Sequence, residues 1–125
     1  SIALVATRPH PDAIEDVQAL LAGPHWLPTN PNRVRALLGS LARGNPAAFH
    51  RADGAGYRLV AAQVAALDAL NPPVAARLLG AFEALPRLSP AAREAALAAL
   101  EPLRDGDRSR DVAEVLARLS APARR

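Results

Sequence analysis

The chain has 125 residues, a formal net charge of +3 and no cysteine or methionine, so it can bury an apolar core without staples, and disulfides and thiolate metal sites are excluded. All 15 basic residues are arginine, and the pI of 10.9 reflects that residue type more than an excess of charge; with aromatics at 3% there are few platforms on which a nucleic acid could stack. No apolar run approaches membrane-spanning length and no basic region precedes the apolar N-terminal residues, so neither an anchor nor a signal peptide is expected, and a cytoplasmic location is.

Ser1-Ile2-Ala3-Leu4-Val5-Ala6 has helical character with no cap before it, and reads as an edge cut from a longer chain. Arg8-Pro9-His10-Pro11 stops that helix, and Pro11-Asp12 starts another with Glu15 and Asp16 near its positive end. Ile14, Val17, Leu20 and Leu21 form its apolar face, and Gly23-Pro24 ends it. Trp26, between Pro24 and Pro28, is expected to pack under a loop.

Three Asn-Pro pairs follow, Asn30-Pro31, Asn45-Pro46 and Asn71-Pro72. Asn offers a side-chain oxygen to the free N–H groups of a first helical turn, and Pro at N1 has its φ preset and no N–H to orphan. The first pair opens a helix to Arg43 with the stripe Val34, Leu37, Leu38 and Leu41. Gly39 is expected to mark a close helix crossing and Gly44 to take a left-handed conformation after the helix. Arg33 and Arg35 flank the stripe, and one of them is expected to tie down the corner that follows. That corner is Asp53-Gly54-Ala55-Gly56, too rich in glycine for a helix and suited to a tight turn that delivers Tyr57 to the next one. Asp53 can accept from the free N–H groups there.

From Tyr57 the face Tyr57, Val60, Ala61, Val64, Leu67 and Leu70 predicts a helix buried on more than one side. Asn71-Pro72 ends it and caps its antiparallel neighbour, whose apolar positions are Val74, Leu78, Phe82 and Leu85. Ser89-Pro90 starts a helix that Pro102 is expected to kink or end, and Ser109 caps a last one with Val112, Val115, Leu116 and Leu119 on one face. No strand pattern survives. The expected fold is all-α, antiparallel helix hairpins stacked as a HEAT/armadillo-like superhelix over residues 1–121, with a flexible tail at 122–125.

Chemistry is scarce. The three histidines, His10, His25 and His50, have no partner at i+4 and no Glu beside them, so the zinc-binding H-E-x-x-H helix is absent. No serine sits in a nucleophile elbow, and no glycine loop has the strand before it and the Lys behind it that a phosphate cradle needs. No catalytic residue, metal ligand or cofactor is assigned within the chain, and His50 is expected to be satisfied by the adjacent loop backbone.

The words Asn30-Pro31-Asn32-Arg33-x-Arg35, Asn45-Pro46-Ala47-Ala48-Phe49-His50, Asp53-Gly54-x-Gly56-Tyr57 and Asn71-Pro72-x-Val74-Ala75-x-Arg77, in that order and spacing, resemble the C-terminal helical domain of bacterial aminopeptidase N. The resemblance implies a non-catalytic part of a zinc metallopeptidase that removes N-terminal residues from peptides. Its zinc and catalytic carboxylates belong to another domain of the parent chain, over which the helical domain closes to form a chamber admitting peptides. In the family the arginine of the last word faces that chamber, which makes Arg77 a candidate substrate contact; Pro73 replaces a polar residue of the family pattern. The implied partners are the parent's catalytic domain and, through it, peptides, with no nucleic acid and no membrane. Arg77 could instead pair with Asp68 or Glu83. A free-standing helical-repeat adaptor and a basic nucleic-acid-binding domain are the alternatives.

Overall fold

The computed structural model describes residues 13–22 and 31–120. Among them are helices α1 (Ala13–Ala22), α2 (Pro31–Gly44), the single turn α3 (Pro46–Phe49), α4 (Ala55–Asp68), α5 (Pro72–Leu79), a 3₁₀ helix (Gly80–Arg87), α6 (Pro90–Asp105) and α7 (Arg110–Ser120), and no strand. The expectations for the N-terminal helix, His10, His25, Trp26, the Asn30 cap and the tail at 122–125 lie outside the described residues.

Side-chain caps set the helix starts. Asn45 Oδ1 accepts from the Ala48 N–H at 3.2 Å, Asn71 Oδ1 from Val74 at 3.3 Å, Ser89 Oγ from Ala92 at 3.2 Å and Ser109 Oγ from Val112 at 3.2 Å. In the first three a proline follows the cap, which removes one orphan donor from the first turn.

The hairpin α4–α5 is the most extensive helix pair; α6 lies beside α4, and α7 beside α5. The N-terminal end of α4 meets Ala95 of α6, and its last residue Asp68 accepts from the Ser109 N–H at 2.8 Å just beyond α6. The two therefore run in the same direction, as the first helices of successive hairpins in a solenoid do. Tyr57, Val60, Ala61, Val64 and Leu67 of α4 interlock with Val74, Ala75, Leu78 and Leu79 of α5 in a core that extends to Ile14 and Val17 at one end and Val112 and Leu116 at the other.

Several local expectations are corrected. Gly44 is the last residue of α2 and not left-handed, because the helical bonding continues to the Asn45 N–H, 3.2 Å from the Leu41 carbonyl. Among the described residues a Cβ on Gly39 would meet only the Arg43 guanidinium, at 3.7 Å, so no described helix crosses there. Leu70 is 53% exposed because α4 ends at Asp68, before the register that would bury it. The helix from Pro72 tightens to 3₁₀ at Gly80 ahead of Pro86, whose ring would strike the carbonyl four residues back in an α-helix; Phe82 and Leu85 remain buried. Pro102 does not end α6, which runs to Asp105: Pro102 and Ala98, whose carbonyl loses its partner, are both exposed, so water can satisfy it.

Candidate functional site

Phe49 ends the turn that Asn45 caps and is 2% exposed, with ring centroids 4.9 Å from His50, 5.1 Å from Tyr57 and 5.5 Å from Phe82 in edge contacts. His50 Nδ1 shares a hydrogen bond of 2.5 Å with the Tyr57 hydroxyl. This corrects the expected loop-backbone partner, and it follows from the return of the chain: α4 brings Tyr57 back against the turn that carries His50. Burial lowers the His50 pKa and raises that of Tyr57, so both are neutral near pH 7 and the bond joins neutral groups.

The intervening corner is tied by Arg51. Its Nε and Nη2 donate to the two Asp53 carboxylate oxygens at 2.9 Å each, and its Nη1 donates to both Glu15 oxygens at 2.7 and 2.8 Å. Asp53 also accepts from the Ala55 N–H at 3.0 Å, and Arg58 donates to the Asp53 carbonyl at 2.8 Å. The arginines on Asp53 are therefore Arg51 and Arg58, not Arg33 or Arg35: Arg33 is exposed on α2, and the buried Arg35 Nε has no acceptor among the described residues.

The two corner glycines serve different ends. Gly54 has φ of 76°, a left-handed conformation costly for side chains. Gly56 is helical, against the expectation of a non-helical turn: a Cβ there would collide with the Phe49 carbonyl oxygen and lie 2.6 Å from that of Ala48. It lets α4 start pressed against the Phe49 turn.

The Arg51 hydrogen bonds hold the Asp53 pKa at about 2, below its ordinary 3.8, and lower that of Glu15. A carboxylate with a depressed folded pKa stabilises the fold above its unfolded pKa, and that contribution is lost as pH falls through the folded value. Arg51→Ala is therefore expected to melt below the parent chain at pH 5–7, with a deficit that shrinks between roughly pH 4 and pH 2. Thermal melts across that range check it; a deficit constant with pH would show the carboxylates to be irrelevant to it.

Arg77 lies on α5, whose Val74 and Leu78 are buried. The Asn71 cap and Pro72 fix where that helix begins. The Arg77 side chain is exposed and has no hydrogen bond or ion pair among the described residues. Neither alternative pairing forms: Asp68 is buried, with Oδ2 accepting from the Ser109 N–H and Oδ1 without a partner among the described residues, and Glu83 lies 3.9 Å from the Arg118 guanidinium. Arg33, Arg35 and Arg77 thus stand apart from the corner that Asn45, Pro46, Phe49, His50, Asp53, Gly54, Gly56 and Tyr57 build.

No three His, Asp or Glu side chains among the described residues cluster as a metal site would require, and the Nδ1 of His50 is taken up by Tyr57. The donor set described does not fit a zinc ion. No described helix is long and apolar enough to cross a membrane.

Residues 2–121 match the family described as "Domain of unknown function (DUF3458_C) ARM repeats". Aminopeptidase N of Caulobacter vibrioides is 52% identical over 71 residues, 57% of this chain and 8% of that protein. Aminopeptidase N of Escherichia coli is 41% identical over 101 residues, 81% of this chain and 12% of that protein. The crystal structure of Legionella pneumophila aminopeptidase A in complex with aspartic acid superposes with a TM-score of 0.85 at 32% identity, covering 94% of this chain and 14% of that one. The chain thus spans between 8% and 12% of the length of these two curated relatives.

Proposed function

The chain belongs to the DUF3458_C family of ARM-repeat domains, the C-terminal helical domain of aminopeptidase N, and on that premise we propose that it closes the catalytic chamber of a cytoplasmic zinc-dependent aminopeptidase and shapes the access of peptides to it. In this reading residues 1–121 are the last portion of the helical domain, residues 122–125 are its tail, and its partner is the catalytic domain of the same chain, which holds the zinc. The domain contributes no bond-breaking group. It contributes walls and charge.

The observation that carries the reading is Arg77, an exposed guanidinium with no partner among the described residues, on a helix whose start is fixed by a side-chain cap and a proline. A cation with no partner among the described residues is available to a substrate carboxylate and repels a basic side chain. Its buried neighbours Val74 and Leu78 hold the backbone of the turn in place while the charged end stays free. The remaining motif residues, from Asn30 and Pro31 through Asn71 and Pro72, are assigned to architecture: caps, a close helix approach and an anchored corner.

Arg77→Ala in the full-length enzyme is expected to lower kcat/KM for acidic peptides relative to basic ones by roughly threefold or more. Zinc content and thermal midpoint should be unchanged, since the Arg77 side chain is exposed and pairs with no carboxylate among the described residues. Equal selectivity across acidic, neutral and basic peptides would remove Arg77 from the chamber.

A further inference from the structure

We propose that Asp105, the last residue of α6, is a site of spontaneous aspartate isomerisation: its side-chain carboxyl condenses with the Gly106 amide nitrogen to a succinimide, which water reopens to an isoaspartyl link. The inference concerns the covalent fate of the chain and is independent of the chamber reading.

Glycine after aspartate favours this reaction, because no side chain on the following residue shields the attacking nitrogen. Among the aspartates of the chain only Asp53 and Asp105 precede glycine, and the fold treats the two in opposite ways. Asp53 is pinned. Its oxygens accept from Arg51 Nε and Nη2 at 2.9 Å each and from the Ala55 N–H at 3.0 Å. Gly54 is buried, and its N–H donates to the Arg51 carbonyl at 2.9 Å. Attack there would break these bonds, and the neutral carboxyl that the reaction consumes is scarce where the pKa is held at about 2.

Asp105 has none of these restraints. Asp105, Gly106 and Asp107 are exposed; the Asp105 carboxylate has no hydrogen bond or ion pair among the described residues, and the Gly106 N–H has no acceptor there. The backbone leaves the helix at Gly106, with φ of −101° and ψ of 167°. Rotation about the Asp105 Cα–C bond, which brings the Gly106 nitrogen to Cγ, therefore breaks no hydrogen bond of that nitrogen. A Cβ on Gly106 would collide with Arg108 Nη2, so a cation lies beside the residue whose amide gives up its proton.

The reaction needs no co-reactant but water. A C–N bond forms between the Gly106 nitrogen and Asp105 Cγ, a Cγ–O bond breaks, and the amide proton leaves with the lost hydroxyl as water. Water then adds to one of the two imide carbonyls. Addition at Cγ restores aspartate; addition at the former backbone carbonyl leaves the chain running through Cβ and Cγ, with a free α-carboxylate. Nothing is oxidised or reduced, and the mass is unchanged. The product lengthens the link between α6 and α7 by one carbon. Because α6 rests on α4 and α7 on α5, the extra atom is taken up in the link and not in the core.

The test holds the full-length protein folded at mildly acidic pH for several weeks, beside a sample unfolded in urea. Peptides spanning residues 53 and 105 are then fragmented by electron transfer, which splits the Cα–Cβ bond that only an isoaspartyl link places in the main chain. In the folded protein isoaspartate is expected to form at residue 105 roughly tenfold or more faster than at residue 53, tenfold being what one unit of carboxyl pKa gives by itself. In urea the two rates should converge, since both sites are then unrestrained Asp-Gly. Asp105→Glu, which would need a six-membered ring, should abolish the product at residue 105 in the folded protein. Folding that slows residue 105 as much as residue 53, a product that persists in Asp105→Glu, or no isoaspartate at residue 105 would overturn the proposal.

Discussion

Gly56→Ala is expected to lose about 3 kcal/mol of stability and to melt roughly 10–20 °C below the parent chain. The added Cβ would meet the Phe49 carbonyl oxygen and lie 2.6 Å from the Ala48 oxygen and 2.7 Å from the Phe49 Cα. All three are backbone atoms of the turn between Asn45 and His50, and no side-chain rotation relieves the overlap. Either α4 moves away or Phe49 is pushed out of the core, and both separate Tyr57 from His50. Gly54→Ala should cost less, about 1–2 kcal/mol, for a side chain at left-handed φ, since its Cβ would press mainly on the far end of Arg58, at 3.0 Å. Gly39→Ala should be neutral or stabilising by up to about 1 kcal/mol, as the helix gains propensity without a clash. Thermal melts of the three variants check the order; Gly56→Ala melting with the parent chain would contradict the close approach of α4 to the Phe49 turn.

Phe49→Ala is expected to cost about 3–5 kcal/mol, the range for emptying a buried aromatic site. Phe49 is 2% exposed and supplies the edge contacts that join His50, Tyr57 and Phe82. Its removal takes away the apolar anchor common to α3, α4 and the 3₁₀ helix, and the aromatic contacts add to the loss beyond area alone. Urea unfolding should show a midpoint shifted down with little change in slope. A loss under about 1 kcal/mol would mean that the ring cluster follows the packing of the helices instead of setting it.

The helix starts were legible because a cap is a local device. Asn45, Asn71, Ser89 and Ser109 each carry an oxygen within three residues of the N–H it accepts from, and proline beside three of them marks the register. The apolar stripes of α2, α4, α5 and α7 were legible by the same logic, since a single face repeats every three or four residues. The tether of the corner was not. Arg51 joins Glu15, 36 residues earlier, to Asp53, and a pair so distant in sequence leaves no periodic trace. The one local signal was an arginine two residues before Asp53, outside the motif words. Gly56 was visible as a glycine but misread, because a count of glycines suggests a turn whereas the need was for space between two backbones. Gly44 failed for the opposite reason: its place at a helix end suggested a left-handed residue, yet the Asn45 cap continues the helical bonding without one. Arg77 was marked by its motif alone, and its lack of a partner among the described residues needed Asp68 and Glu83 to be located.

We propose that the α5 surface carrying Arg77 faces the peptide chamber of the parent enzyme. Its most direct test is affinity labelling of the full-length protein: Arg77→Cys, and Arg93→Cys at an exposed position of α6 as the reference, are each treated with a peptide bearing a haloacetyl group at its C-terminal end. The account predicts that the thiol of Arg77→Cys is alkylated faster than that of Arg93→Cys, and that an unreactive competing peptide suppresses the difference. Equal rates at the two positions, untouched by the competitor, would contradict it.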